Sequence, residues 1–503
     1  MVANILSATT VGYNGQIIEV ECDASNGLPN LQIVGLGNKA IDEAKERVRS
    51  AIKNSHLDFP KKRITINLAP TNIPKDGAHF DLPIALAILT IGEQLRAEVT
   101  AGKVFAGELG LDGSLRPIRG ALHLTETAKS RGASYIFLPV ANAKQAALID
   151  GIEVVGVESL SDLFLHLNGE KKLSASEPQM LAASNIAPKQ SVSIDDIHGQ
   201  TIAKRALAIA ATGHHNILFT GPPGTGKTML AKALVGLLPA LNLKEKIEVT
   251  KLYSLSGVDR ADELLDRPFR APHHTASHIS LVGGGRVPVP GEMSLAHHGV
   301  LFLDELPEYP RSSLEAMRQP LEDREISIAR AEGRVTFPAN FMLVATQNPC
   351  PCGYLGDPVH ECSCSSSQIL HYQKKVSGPL LDRIDLVVSV GRISHEELLN
   401  KNPISEENKD LRHAISRARH TQNERYNGKA IHNASLNSTQ IKAFFHLSDD
   451  VKQLLSTAAK RLDLSTRSYF KIIKVARSIA DLENQLEILP EHVSEALQYR
   501  TPA

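Results

Sequence analysis

Tryptophan is absent from this chain of 503 residues, and aromatic residues of every kind make up only 4% of it. The sequence carries no aromatic loop signature of the kind that grips unfolded polypeptide. Charge of one sign is not in excess either: 55 Lys and Arg stand against 55 Asp and Glu. That balance argues against a surface that binds polyanions all over, and it leaves room for a local basic channel. No apolar run is long enough to cross a membrane. The first residues, Met1-Val-Ala-Asn-Ile-Leu-Ser7, lack the basic start and long apolar stretch of a secretory signal, so a cytoplasmic protein without membrane partners is expected. Cysteine is scarce: of five, Cys22 stands alone and the other four crowd between residues 350 and 364. In a reducing compartment such crowding suggests a metal rather than disulfides.

Hydrophobic residues at 42% and charged residues at 22% describe an ordinary globular composition. The length exceeds one core, and about two to four domains are expected. Residues 1–169 mix short β-like runs, such as Gln16 to Cys22 and Arg63 to Leu68, with helical stretches, as an α+β domain would. Residues 170–192 are polar and aperiodic and read as a linker. Residues 193–393 alternate strands and helices, which implies a mainly parallel sheet. Residues 394–503 show a series of helical patterns, as a helical lid or C-terminal domain would.

The third of these segments opens on a phosphate cradle. Gly221-Pro222-Pro223-Gly224-Thr225-Gly226-Lys227-Thr228 matches G-x-x-x-x-G-K-[ST], with a buried-strand pattern before it and helical spacing after it. The glycines let backbone N–H groups turn toward an anion, and the helix start adds positive potential there. Lys227 is expected to reach the β- and γ-phosphates of ATP, and Thr228 to ligate Mg²⁺. Val300-Leu-Phe-Leu-Asp-Glu305 is a hydrophobic strand ending in two acids. Asp304 is expected to hold Mg²⁺ and Glu305 to polarise the attacking water, which makes the chain a hydrolase. A third apolar strand, Phe341 to Gln347, ends at Asn348, whose amide could orient the same water.

Two segments could line a pore. One is the glycine-rich stretch 280–290 carrying Arg286. The other is 326–336, which alternates about a Glu332-Gly333 turn as a hairpin would, with Arg330 and Arg334 flanking the turn. It resembles the presensor hairpin of replicative ring helicases. Arginine on such loops suits sequence-independent contact with a phosphate backbone; ordinary surface ion pairs are the alternative. Cys350, Cys352, Cys362 and Cys364 form C-x-C…C-x-C within an insert at 349–365. Four thiolates match a closed tetrahedral zinc site, with His360 as a possible substitute ligand and four reduced, metal-free cysteines as the alternative.

Ile197-His-Gly-Gln200, the P-loop, the acidic strand and Asn348 follow one another in the order of an AAA+ ATPase. Pro272-His-His-Thr275, Gly283-Gly-Gly-Arg286, Pro290-Gly-Glu-Met-Ser-Leu-Ala296 and Pro379-Leu-Leu-Asp-Arg-Ile-Asp385 resemble the magnesium-chelatase-like branch. From Met1 to about residue 500 the chain resembles the ComM/YifB family of competence-associated proteins. The resemblance implies an α/β fold: an AAA+ P-loop core with a helical lid, preceded by an α+β Lon-protease-like (ribosomal S5 domain 2-like) domain. It also implies a homo-oligomeric ring, usually a hexamer, with nucleotide between subunits. Arg383 sits where the family places its arginine finger, and Arg467 matches the sensor 2 arginine, acting in cis or in trans. Around Lys75-Asp-Gly-Ala-His79 the Lon-like pattern departs from active proteases. His79 stands where they carry the serine, and the later helix beginning Gly120-Ala-Leu-His-Leu124 lacks the lysine, so a non-proteolytic domain is expected. The family further implies ATP-driven unwinding or branch migration of single-stranded and branched DNA, during integration of incoming DNA in natural transformation. A chelatase motor and a protein-remodelling chaperone are the competing functions. The Lon-like domain and the cysteine insert are expected to count against the first, since neither belongs to the small chelatase ATPase subunit.

Overall fold

The computed structural model describes residues 2–35, 39–73, 75, 77–177, 192–257, 267–285, 288–330, 333–393, 407–429 and 431–500. They form two compact units. One is drawn from Met1–Ala183, Lys246–Leu265 and Ala329–Thr336, the other from Ser184–Glu245, Asp266–Ile328 and Phe337–Ala503.

The first unit is built on a seven-stranded sheet in the order Asn30–Val34, Arg63–Ala69, Asn14–Ser25, Val2–Val11, Lys103–Phe105, Tyr135–Pro139, Glu153–Val157. Val2–Val11 and Asn14–Ser25 form a long antiparallel hairpin, while the last three strands run parallel. Against this sheet lies the helix Asp81–Ile91, every residue of which is buried. Its sequence, Asp81-Leu-Pro-Ile-Ala-Leu-Ala-Ile-Leu-Thr-Ile91, is apolar on all sides, and such a helix is stable only when surrounded. Pro83 falls within the first turn, where a missing N–H leaves no helical bond broken. The single carboxylate on this helix, Asp81, is met by Arg47 through two bonds, Nε at 2.8 Å and a terminal nitrogen at 3.1 Å.

The second unit holds a five-stranded sheet in the order Phe269–Arg270, Val300–Leu303, Met342–Gln347, Ile217–Thr220, Leu386–Ser389, with every neighbouring pair parallel. Val300–Leu303 is buried along its whole length and the first five residues of Met342–Gln347 are buried as well. Continuous burial is what helices on both faces of a parallel sheet produce, and it explains why these strands read as unbroken apolar runs. The helices include Thr201–Gly213, Lys227–Leu237, Glu407–Arg425, Asp449–Arg461, Thr466–Leu482 and Pro490–Gln498. Ile472, Ile473, Val475, Ala476 and Ile479 of Thr466–Leu482 join the same hydrophobic core as Ile217, Phe219 and Val344 of the sheet. No helix among the described residues is long and apolar enough to cross a membrane.

Candidate functional site

Open parallel sheets present their ligand sites at the carboxyl ends of the strands. Ile217–Thr220, Val300–Leu303 and Met342–Gln347 end side by side, with Thr220 in register with Gln347 and Leu303 with Ala345. The residues that follow these ends are the P-loop, Asp304-Glu305 and Asn348. Gly224 and Gly226 have φ of 77° and 85°, a region where a side chain would strain the backbone, so the loop needs glycine at both places. The helix Lys227–Leu237 starts directly after them.

Lys227 is half-buried. Its ammonium donates to the carbonyls of Gly221 at 2.7 Å and Pro222 at 2.8 Å, and to Asn348 Oδ1 at 3.3 Å. Burial pushes its pKa below the usual lysine range, with Asp304 and Glu305 acting in the opposite sense. Thr228 Oγ1 lies 3.4 Å from Asp304 Oδ2. Both oxygens can therefore reach one divalent cation bound at about 2.1 Å from each. Thr346, which sequence reasoning passed over, joins the two acids. Its hydroxyl donates to Asp304 Oδ1 and accepts the Glu305 N–H at 2.9 Å. A polar residue at the end of an apolar strand, two places before Asn348, was the only signal for it. Glu305 itself has φ of 54°, a left-handed conformation unusual for a side-chain-bearing residue.

Arg383 and Arg467 meet elsewhere. They line a cavity of about 380 Å³ with Arg324, Asp385, Lys471 and Lys474, and no residue of 221–228 and neither Asp304 nor Glu305 lines it. One carboxylate holds both arginines: Glu322 pairs with Arg383 at 2.8 Å and with Arg467. Arg383 also donates to the carbonyls of Arg318 at 2.9 Å and Pro379 at 2.6 Å. Nothing in the sequence around Gln319-Pro-Leu-Glu322 marked Glu322. Of the family motifs, Glu292 forms a two-pronged pair with Arg270 at 2.6 and 2.7 Å.

The four clustered cysteines converge, with all four Sγ atoms within 4.8 Å of one another. Cys350 is buried and the other three are half-buried. His360 is not part of the group; its ring stacks on Tyr354 with centroids 4.9 Å apart. Of the basic loop residues, Arg334 is exposed. Arg330 ends the strand Glu325–Arg330, Gly333–Pro338 pairs with that strand, and Ala329–Thr336 groups with the first unit. Arg286 and the Glu332 position of the expected turn lie outside the described residues, as do 178–191 of the expected linker and 394–406 at the start of the helical region. In the first unit, His79 Nε2 lies 3.1 Å from the carbonyl of Ala8, and His123 is buried in the helix Ala121–Ser130.

Residues 193–398 match the family model described as "Magnesium chelatase, subunit ChlI", residues 20–142 match "Subunit ChlI of Mg-chelatase", and residues 405–500 match "Magnesium chelatase, subunit ChlI C-terminal". The chain is 43% identical to competence protein ComM of Haemophilus influenzae over 99% of its own length and 97% of that relative's. It is 40% identical to the uncharacterized protein YifB of Escherichia coli over 97% of this chain and 95% of the relative. A shorter likeness, 28% identity over 30% of this chain and 21% of the relative, connects it to the Lon protease of Mycolicibacterium smegmatis. With its parallel sheet and P-loop in an α/β AAA+ fold, the chain belongs to the ComM/YifB family of magnesium-chelatase-like AAA+ proteins.

Proposed function

We propose that this chain is one subunit of a ring-forming, ATP-driven motor that unwinds or branch-migrates DNA, so that incoming DNA is integrated by homologous recombination in natural transformation. Family membership implies ATPase activity. The reading rests above all on one observation, the separation of Arg383 from the phosphate cradle of its own chain. Arg383 shares Glu322 with Arg467 in a cavity that no P-loop residue lines. A guanidinium so placed is useful when a neighbouring subunit brings its nucleotide to it, which supports a ring, a hexamer in this reading. One carboxylate holds both arginines, which supports a shared role for Arg467 and Arg383.

In this mechanism the P-loop from Gly221 to Gly226 wraps the phosphates of ATP, and Lys227 exchanges its carbonyl partners for phosphate oxygens. Thr228 and Asp304 would hold Mg²⁺, which when bound neutralises phosphate charge. Glu305 takes a proton from the attacking water, Asn348 orients that water, and Thr346 keeps the two acids in register. Cys350, Cys352, Cys362 and Cys364 would hold a structural Zn²⁺. Arg334, Arg330 and Arg286 would contact the DNA backbone. The competence name of the full-length relative supports this substrate.

The descriptions of the matched family models favour a second reading, a motor for magnesium insertion. The first domain no longer weighs against it, because residues 20–142 themselves match a chelatase subunit model. The cysteine insert remains as the feature that sets this chain apart. Displacement of a labelled strand from a forked duplex, with ATP and Mg²⁺, separates the two. ATP-dependent displacement is expected; none at low salt, where phosphate contacts are strongest, would contradict a DNA motor.

A further inference from the structure

We infer that the cysteine site controls nucleotide binding: a zinc ion held by Cys350, Cys352, Cys362 and Cys364 fixes Gly353 against Pro223 of the P-loop, so ATP affinity depends on metal occupancy. The inference rests on the zinc reading above. Geometry supports the metal. Thiolates bound at about 2.3 Å around a tetrahedral zinc stand about 3.8 Å apart. The observed Sγ separations are 3.4 Å for Cys350–Cys352, 3.7 Å for Cys350–Cys362 and 3.6 Å for Cys352–Cys362. The loop around them has little else to hold its shape. Its large aliphatic residues face outward, Leu355 at 38% exposure and Val359 at 69%. Its other ties include the Tyr354–His360 stack, an ion pair of Asp357 with Arg392 at 2.8 Å, and a turn in which Asp357 donates its N–H to the Tyr354 carbonyl and accepts from the Val359 N–H at 2.8 Å. A segment with so small a core takes its fold from the cross-link at its centre.

The leverage on the nucleotide site comes from the residue after Cys352. Gly353 has φ of 86° and donates its N–H to the Cys350 carbonyl at 3.0 Å, closing a turn between two of the ligands. A Cβ at this position would stand 2.7 Å from Pro223 Cδ and 2.8 Å from Cγ, with Asn348 Cγ at 4.0 Å. The backbone at Gly353 is thus pressed against Pro223 of the P-loop, close to the amide that faces Lys227. A Cβ at Gly224 or Gly226 would meet nothing within 4 Å. Pro223 is where the cysteine loop meets the P-loop, while Gly221 at the loop's start is packed against the Val390 carbonyl. Release of the ion frees Cys352 and Gly353 together, and displacement of a phosphate-binding loop by about 1 Å is enough to lose about a hundredfold in function.

The test uses the full-length protein. Bound zinc is measured by atomic emission, the metal is stripped with a strong chelator, Mg²⁺ is restored, and binding of a fluorescent ATP analogue is titrated before and after. Circular dichroism checks that the chain stays folded. One zinc per chain is expected, with at least about tenfold weaker nucleotide binding once it is removed and recovery on adding Zn²⁺. Equal binding by folded metal-free and zinc-loaded protein would overturn the coupling and leave the zinc reading standing. Folded, nucleotide-binding protein that never holds zinc would overturn both. Should the stripped protein unfold, Gly353→Ala decides: a full complement of zinc with weakened binding supports the coupling, and native binding overturns it.

Discussion

Glu305 follows the strand Val300–Leu303 in a left-handed backbone, φ 54°, its N–H taken up by Thr346 at 2.9 Å. Glu305→Gln keeps the shape and removes the proposed base. Hydrolysis is expected to fall by about 10²- to 10⁴-fold with nucleotide binding retained, measured by phosphate release and by titration of a fluorescent nucleotide. Arg383→Ala is expected to lose about 10³-fold or more in hydrolysis while its own P-loop still binds ATP. Glu322 pairs with both Arg383 and Arg467, so under the proposed mechanism it would have to release them to a phosphate. A pH effect belongs to Asp81. Burial raises its carboxyl from 3.8 to about 6, against the pull of Arg47. The folded chain then binds this proton more tightly than the unfolded one. The group's stabilising contribution is complete below pH 4 and is lost as pH rises through 6. Relative to Asp81→Asn, the wild type is expected to lose up to about 3 kcal/mol between pH 4 and pH 7, read from denaturant melts.

At the scale of elements, the helix Thr466–Leu482 joins the helical region to the sheet through both apolar and ionic contacts. Its buried Asp481 accepts from Arg425 at 2.6 Å, Arg477 at 3.0 Å and Asn433 at 2.9 Å. Asp481→Ala leaves two guanidinium groups without their carboxylate and is expected to destabilise the second unit by about 3–5 kcal/mol in denaturant melts. Within the helix Glu407–Arg425, the basic residues from Arg412 to Arg425 look from the sequence alone like a solvated face, yet Arg425 turns to Asp481 and Arg419 donates to His432. Periodicity places a residue on a helix face. It does not reveal a carboxylate that arrives from an element more than fifty positions later in the chain.

For the molecule as a whole, the parts legible in the sequence were those whose chemistry fixes spacing. A phosphate needs backbone N–H groups, a lysine and a hydroxyl within one turn, so the P-loop appears as eight consecutive residues. The acids after Val300–Leu303 and the amide at Asn348 were legible because a buried parallel strand must stay apolar until it ends. The cysteines were legible as a group because metal ligands come from short, paired spacings. What could not be read was long-range. Glu322 reaches two arginines from distant elements, and Lys246–Leu265 and Ala329–Thr336 group with the first unit although they are embedded in the sequence of the second. Grouping of the hairpin tip with the first unit also shapes the DNA proposal, since Arg334 must meet a phosphate backbone from that setting.

The central claim is that hydrolysis at Lys227 and Glu305 is spent on DNA. The most direct measurement is the ATPase rate of the intact protein with no DNA, with single-stranded DNA and with forked DNA, repeated across a salt series. The account predicts stimulation by both DNAs that fades as salt rises, because phosphate contacts release counterions. A rate unchanged by either DNA at every salt concentration would contradict it.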